Sequence, residues 1–195
     1  MDVPPALRAA VGGHPLVAEL LARRGITAPE AALGFLDPRH YRVTPASQLP
    51  GVEAAVTRLA QALHRQESVV IWGDFDVDGQ TATAILLTTL TQLGFRVSFY
   101  IPHRVDESHG LNRPALEELL RSGVDLLITC DCGISDTTEL EFCRQQGLDV
   151  IVTDHHDVPP YEVPASIVVN PKYLPQAHPL HHLCGAGVAY KVVEG

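Results

Sequence analysis

The sequence predicts an α/β fold, a parallel sheet flanked by helices on both faces and preceded by a helical N-terminal segment. Three observations carry this. Residues 1–66 hold helical periodicity and no strand run. From residue 67 onward, short apolar runs alternate with helical patterns, the rhythm of successive strand–helix–strand units. Those runs are apolar enough to be strands buried on both faces.

The elements follow in order. HPLVAELLARRG (14–25) places apolar residues at helical spacing and stops at Gly25. In ITAPEAALGFL, Thr27 is the expected N-cap, Pro29 lies in the first turn and Glu30 completes a capping box. Asp37-Pro38 breaks the chain, and GVEAAVTRLAQALHRQE (51–67) sets Val52, Val56, Leu59 and Leu63 on one stripe. SVVIW (68–72) is the first strand, GDFDVDG (73–79) a loop, and Thr81 to Leu93 an apolar helix closed by Gly94. RVSFYI (96–101) is the second strand. A loop with His103, Arg104, Asp106, Glu107, His109 and Asn112 leads to a helix from Pro114 to Arg121. VDLLITC (124–130) is the third strand, Ser135 the expected cap of a helix through Gln146, and LDVIVT (148–153) the fourth strand. After DHHDVPP, ASIVVN (165–170) reads as a fifth strand, and GAGVAYKVVEG begins a last helix. The expected division is a helical segment over 1–66 and an α/β domain over 67–195.

Bulk properties narrow the class. The 195 residues carry 46% hydrophobic residues, ample for a packed core. No apolar run approaches the roughly 20 residues that span a bilayer, and the N-terminus does not read as a signal peptide. A cytoplasmic protein with no membrane partner is expected. Cys130, Cys132, Cys143 and Cys184 do not form a disulfide framework. Cys130 and Cys132, two apart, would face the same side of a strand and read as small buried thiols.

Three strand ends carry the chemistry. The first leads to Asp74, Asp76 and Asp78, the third to Asp131, the fourth to Asp154, His155 and His156. In a parallel sheet these clusters open onto one edge, where α/β folds bind ligands. Carboxylates crowded together repel unless cations compensate. Aspartates and histidines without thiolates suit Mn²⁺ or Mg²⁺, and several carboxylates can hold two such ions about 3.5–4 Å apart. A two-ion site suits hydrolysis of a phosphate ester. A calcium EF-hand is excluded, because the twelfth loop position is Ile85 and a strand precedes the loop. His178, His181, His182 and Cys184 are spaced too irregularly for a zinc site and read as a polar loop. GAGVAYK lacks the third glycine of a dinucleotide fingerprint.

GDFDVDG, CDCG and VTDHH together resemble the DHH phosphoesterase family. LLARRGITAPEAALGFLDP, WGDFDVDGQTA, IPHRVDESHGLN and LCGAGVAYKVV resemble its RecJ-type branch, the 5′-to-3′ exonucleases of single-stranded DNA. The resemblance implies that Asp76 and Asp78 bind separate metals, that Asp131 bridges both and that His155 is a further ligand. It implies His156 and Arg104 as contacts to substrate phosphate, with Asp74 and Asp154 supporting; Asp131, His156 and Asp154 are then the expected catalytic group. The loop departs from the family pattern at Ser108-His109, where Gly-Tyr is expected. The implied cofactors are two Mn²⁺ or Mg²⁺ ions. The implied partners are single-stranded DNA, with a helicase or a single-strand-binding protein as further candidates. The chain stops at Gly195, before the family's fourth-motif Asp, so the domain is expected to be cut short at its C-terminal end. A net charge of −9 then fits acids gathered on metals and a DNA-binding surface outside this chain.

Two other readings stay open. One keeps the fold and changes the substrate to pyrophosphate, short oligonucleotides or cyclic dinucleotides; Trp72 stands where those enzymes carry a His. The other is an inactive fragment or binding protein on the same fold.

Overall fold

The computed structural model describes residues 3–107 and 109–195; Ser108 lies outside the described residues. The chain divides into two compact units, Met1–Thr44 and Pro45–Gly195.

The first unit holds helices α1 (Pro5–Val11), α2 (Pro15–Arg23) and α3 (Pro29–Leu36). Each begins on a proline, whose fixed φ suits the first helical turn and whose missing N–H is no loss there. Leu7, Leu21, Ala22 and Ala32 form its small core. The N-cap of α3 is Ala28, with no side-chain cap; Pro29 at the first position leaves Thr27 one residue too early.

The first α-helix of the second unit is α4 (Val52–Arg65), whose expected stripe is filled in by Ala55 and Ala62. Its division from the first unit therefore falls at 44/45, ahead of α4, rather than at 66. Five strands follow among the described residues: β1 (Ser68–Gly73), β2 (Arg96–Tyr100), β3 (Leu126–Cys130), β4 (Asp149–Thr153) and β5 (Ile167–Val169). All neighbours pair in parallel, in the order β2-β1-β3-β4-β5. The helices between and after them are α5 (Val77–Gln92), α6 (Arg113–Arg121), α7 (Thr137–Gln145) and α8 (Gly185–Glu194).

Alternation along the strands builds a core on each face. Val69 and Ile71 of β1 pack with α4, α5 and α8, while Val70 and Trp72 pack with α6 and α7. The expected parallel sheet with helices on both faces is thus the observed one. Trp72 is fully buried, and its Nε1 donates to Gly110 O at 3.2 Å.

Three local departures matter for the site. Helix α5 starts at Val77, four residues before Thr81, because the Asp76 side chain accepts from Gly79 N at 3.0 Å and caps it. The N-cap of α7 is Asp136 rather than Ser135, and its carboxylate accepts from Leu111 N at 2.7 Å instead of a helix amide. Cys130 and Cys132 face opposite cores, because β3 ends at Cys130 and Asp131 turns into the left-handed region at φ 62°. All four thiols are unpaired; Cys130, Cys132 and Cys143 are buried and Cys184 is exposed.

Candidate metal centre

The strand order reverses direction between β1 and β3, and this switch point opens a crevice beyond their carboxyl ends. β1 delivers Asp74 and Asp76 there, β3 delivers Asp131, and β4 beside it delivers Asp154, His155 and His156. Ligand atoms of Asp74, Asp76 and Asp131 lie within 4.8 Å of one another. So do those of Asp131, His155 and His156. Asp131 belongs to both groups.

Asp131 is the most constrained of these residues. Only 4% exposed, it takes up a left-handed backbone that costs a non-glycine residue roughly 1–3 kcal/mol. Its N–H donates to Thr153 O at 2.9 Å, and Thr129 Oγ1 donates to Cys132 O at 2.8 Å, which fixes the turn from both sides. Burial, with the Asp78 and Asp76 charges nearby, pushes its carboxyl up to about 7.

The donor set suits a divalent cation. Asp74 Oδ1 and Asp131 Oδ1 are buried and have no hydrogen-bond partner among the described residues. Such atoms are costly to leave without a compensating charge or donor. His155 Nε2 approaches Asp131 Oδ1 to 2.9 Å without the alignment of a hydrogen bond. Two electron-rich atoms brought this close suit two ligands of one ion.

Asp154 organises the histidines. It is 1% exposed; Oδ2 accepts from Ile134 N at 3.0 Å and Oδ1 from the N–H groups of His155 and His156 at 2.7 and 3.1 Å. The same Oδ1 meets His156 Nδ1 at 2.7 Å. Burial alone would raise the Asp154 carboxyl, but His156 and these amides outweigh it and hold it below its usual range. In return Asp154 lifts His156 to about 9. His156 is half-exposed, its far nitrogen left for a partner outside the protein.

Asp78 falls outside both groups. Its Oδ2 accepts from Gly185 N at 2.6 Å and its Oδ1 from Ala186 N at 2.8 Å, the first amides of α8. Burial would raise it, and those amides bring it below its usual range. It stands at the rim of the second group, with His155 Nε2 3.6 Å from Oδ2. Arg104 is brought alongside by stacking its guanidinium 5.1 Å above the ring of Phe75. Phe75, His109, Gly110, Gly133, Asp136 and His156 line a cavity of about 360 Å³ beside the acids. A larger hollow of about 630 Å³ beside α4 and β5 holds none of these groups. His178 and His181 are engaged by Gln48 Oε1 and Leu174 O, as a polar loop requires.

Sequence reasoning passed over two glycines. A Cβ on Gly79 would lie 2.7 Å from Asp74 Cβ, and one on Gly185 2.7 Å from Asp131 Oδ1. The one signal for the second was a helix opening on GAG, a poor helix-starting composition unless something must approach closely.

Residues 68–195 match the family model described as the DHH family, N-terminal domain. The single-stranded-DNA-specific exonuclease RecJ of Bacillus subtilis (strain 168) is 39% identical over 180 residues, covering 92% of this chain and 23% of the relative. That of Haemophilus influenzae is 38% identical over 181 residues, covering 92% and 31%. The crystal structure of RecJ in complex with Mn²⁺ from Thermus thermophilus superposes with a TM-score of 0.74 and 33% identity, over 99% of this chain and 27% of that one. The chain thus spans about a quarter to a third of the length of the proteins it resembles.

Proposed function

The chain belongs to the DHH family, and from that premise we propose that it forms the metal-holding part of a 5′-to-3′ exonuclease acting on single-stranded DNA. The observation that carries this reading is the sharing of Asp131 between two groups of potential ligands. Asp74, Asp76 and Asp131 would hold one Mn²⁺ or Mg²⁺, and Asp131 with His155 a second, Asp78 closing its rim. Bound there, two ions supply an activated water and charge neutralisation at a scissile phosphate.

The protein's own residues do the rest. Asp154 holds His156 by Nδ1 and keeps it cationic at neutral pH, so its Nε2 donates to a phosphate oxygen. Arg104, steadied on Phe75, offers a second cation to a terminal phosphate. The cavity beside them has room for a nucleotide unit. The protein would release mononucleotides during DNA repair or recombination in the cytoplasm, on strands supplied by a helicase or a single-strand-binding protein.

The test compares Mn²⁺-dependent turnover of a 5′-phosphorylated single strand, a duplex, pyrophosphate and a cyclic dinucleotide, for the protein and its Asp131→Ala variant. Release of mononucleotides from the single strand alone, abolished by the substitution, is expected. Preferred turnover of pyrophosphate, or activity retained by Asp131→Ala, would overturn the reading.

A further inference from the structure

The first turn of α8 touches Asp131, which both ion-holding groups share, and Asp78 beside them. Gly185 donates its N–H to Asp78 at 2.6 Å, and Ala186 donates to the other oxygen of the same carboxylate at 2.8 Å. Asp78 lies in the first turn of α5, 107 residues earlier in the chain. The same Gly185 presses its bare Cα against Asp131: a Cβ there would sit 2.7 Å from Cβ, Cγ and Oδ1 of Asp131. Contacts that short do not occur between real atoms, so a methyl group must displace one side or the other.

The helix is not free to retreat. Val188, Ala189 and Val192 of α8 are buried in the core that holds Ala82, Leu86 and Leu90 of α5. The Asp131 side chain is the one that can yield, because Asp131 borders the cavity beyond the strand ends. The backbone of Gly185 is not in the left-handed region, so a side chain there meets only this steric obstacle.

From this we infer that Gly185 is a positioning residue of the site: through its amide and its missing side chain it fixes Asp78 and Asp131 relative to each other. The start of α5, the end of β3 and the start of α8 are thereby set in one frame, and the relative placement of the ligands follows from it. The inference rests on the ion-binding reading above and goes beyond it in assigning a role to α8.

Gly185→Ala tests it, with Gly187→Ala as the control on the same helix, where the added methyl meets only the flexible Leu183 side chain. Mn²⁺ affinity by titration calorimetry and melting temperature in EDTA are measured for both. A loss of at least tenfold in affinity for Gly185→Ala, with a melting temperature in EDTA matching the control, is expected. Metal-free crystals of Gly185→Ala are expected to hold Asp131 displaced with α8 in place. Wild-type affinity in Gly185→Ala, or an unmoved Asp131, would overturn the inference. Should Gly185→Ala not fold, Ala186→Pro replaces one donor to Asp78 by a ring methylene and leaves Gly185 bare against Asp131; a proline at this helical position is tolerated, as Pro114 already sits at the second position of α6. A severalfold loss of Mn²⁺ affinity is then expected, and none would overturn the inference. If the wild-type protein binds no Mn²⁺, the proposed function fails, while the metal-free crystals still decide this question.

Discussion

Asp154 Oδ1 meets His156 Nδ1 at 2.7 Å while accepting from two backbone amides, so one buried carboxylate sets both the orientation and the charge of the imidazole. The aspartate is held below its usual range and the histidine is lifted to about 9. Asp154→Asn should remove that lift. The His156 ring, followed by NMR in EDTA, should then titrate near 6.5, and turnover should fall about 10–100-fold, as for other groups that orient active-site imidazoles. An unshifted titration would refute the pairing.

The sign of its pH dependence follows. A histidine raised in the folded state stabilises fully below its unfolded value near 6.5, and that contribution is lost as pH rises through about 9. Urea midpoints of metal-free protein at pH 6, 8 and 10 should therefore decline over this window, and Asp154→Asn should flatten the decline.

Asp131 acts in the same direction over a lower pH window. Its folded value of about 7 exceeds the unfolded 3.8, so the folded state binds the extra proton between them and metal-free stability falls as pH rises across that interval. Cations compete with this proton. Mn²⁺ affinity should rise about tenfold from pH 6 to 8, most of it below pH 7, and level off above, with proton release seen as a buffer-dependent binding enthalpy.

Asp131→Asn separates stability from function. It removes a charge from a crowded acidic site, so the melting temperature in EDTA should rise by about 2–6 °C, corresponding to roughly 1–2 kcal/mol. MnCl₂ should raise the wild-type melting temperature and leave the variant's unchanged. A variant less stable than wild type in EDTA would mean that the carboxylate is not repelled there.

At the opposite edge of the sheet, Arg58 joins Glu67 at 2.6 Å and Asp149 at 2.8 Å. Arg58→Met should strand Glu67 and cost about 2–3 kcal/mol by urea denaturation. This is below the roughly 3–5 kcal/mol of a fully buried pair because Asp149 is 49% exposed. Mn²⁺ affinity should not change.

What the sequence disclosed depended on range. Apolar runs alternating with helical patterns fixed the polarity of the sheet, and that polarity alone brought the aspartates after β1 and β3 to the edge where Asp154 follows β4. The strand order, and with it the switch point between β1 and β3, was not written in any local pattern. Asp76 was legible as an acid of the site, but its capping of α5 was hidden by three acids that read as loop. The engagement of Asp78 by α8 spans 107 residues and leaves no periodic trace. Cys130 and Cys132 followed strand alternation only on paper, because Asp131 leaves the strand between them.

Helix α4 has a consequence for how the chain can be divided. Leu59 and Ala62 pack in the same core as Val69, Ile151 and Val169. A protease working on the native protein should therefore spare residues 52–65 and cut before them, near Thr44, leaving a resistant fragment that starts close to Pro45. A polypeptide started at Glu67 instead would bare one greasy side of the sheet to water and should clump when expressed.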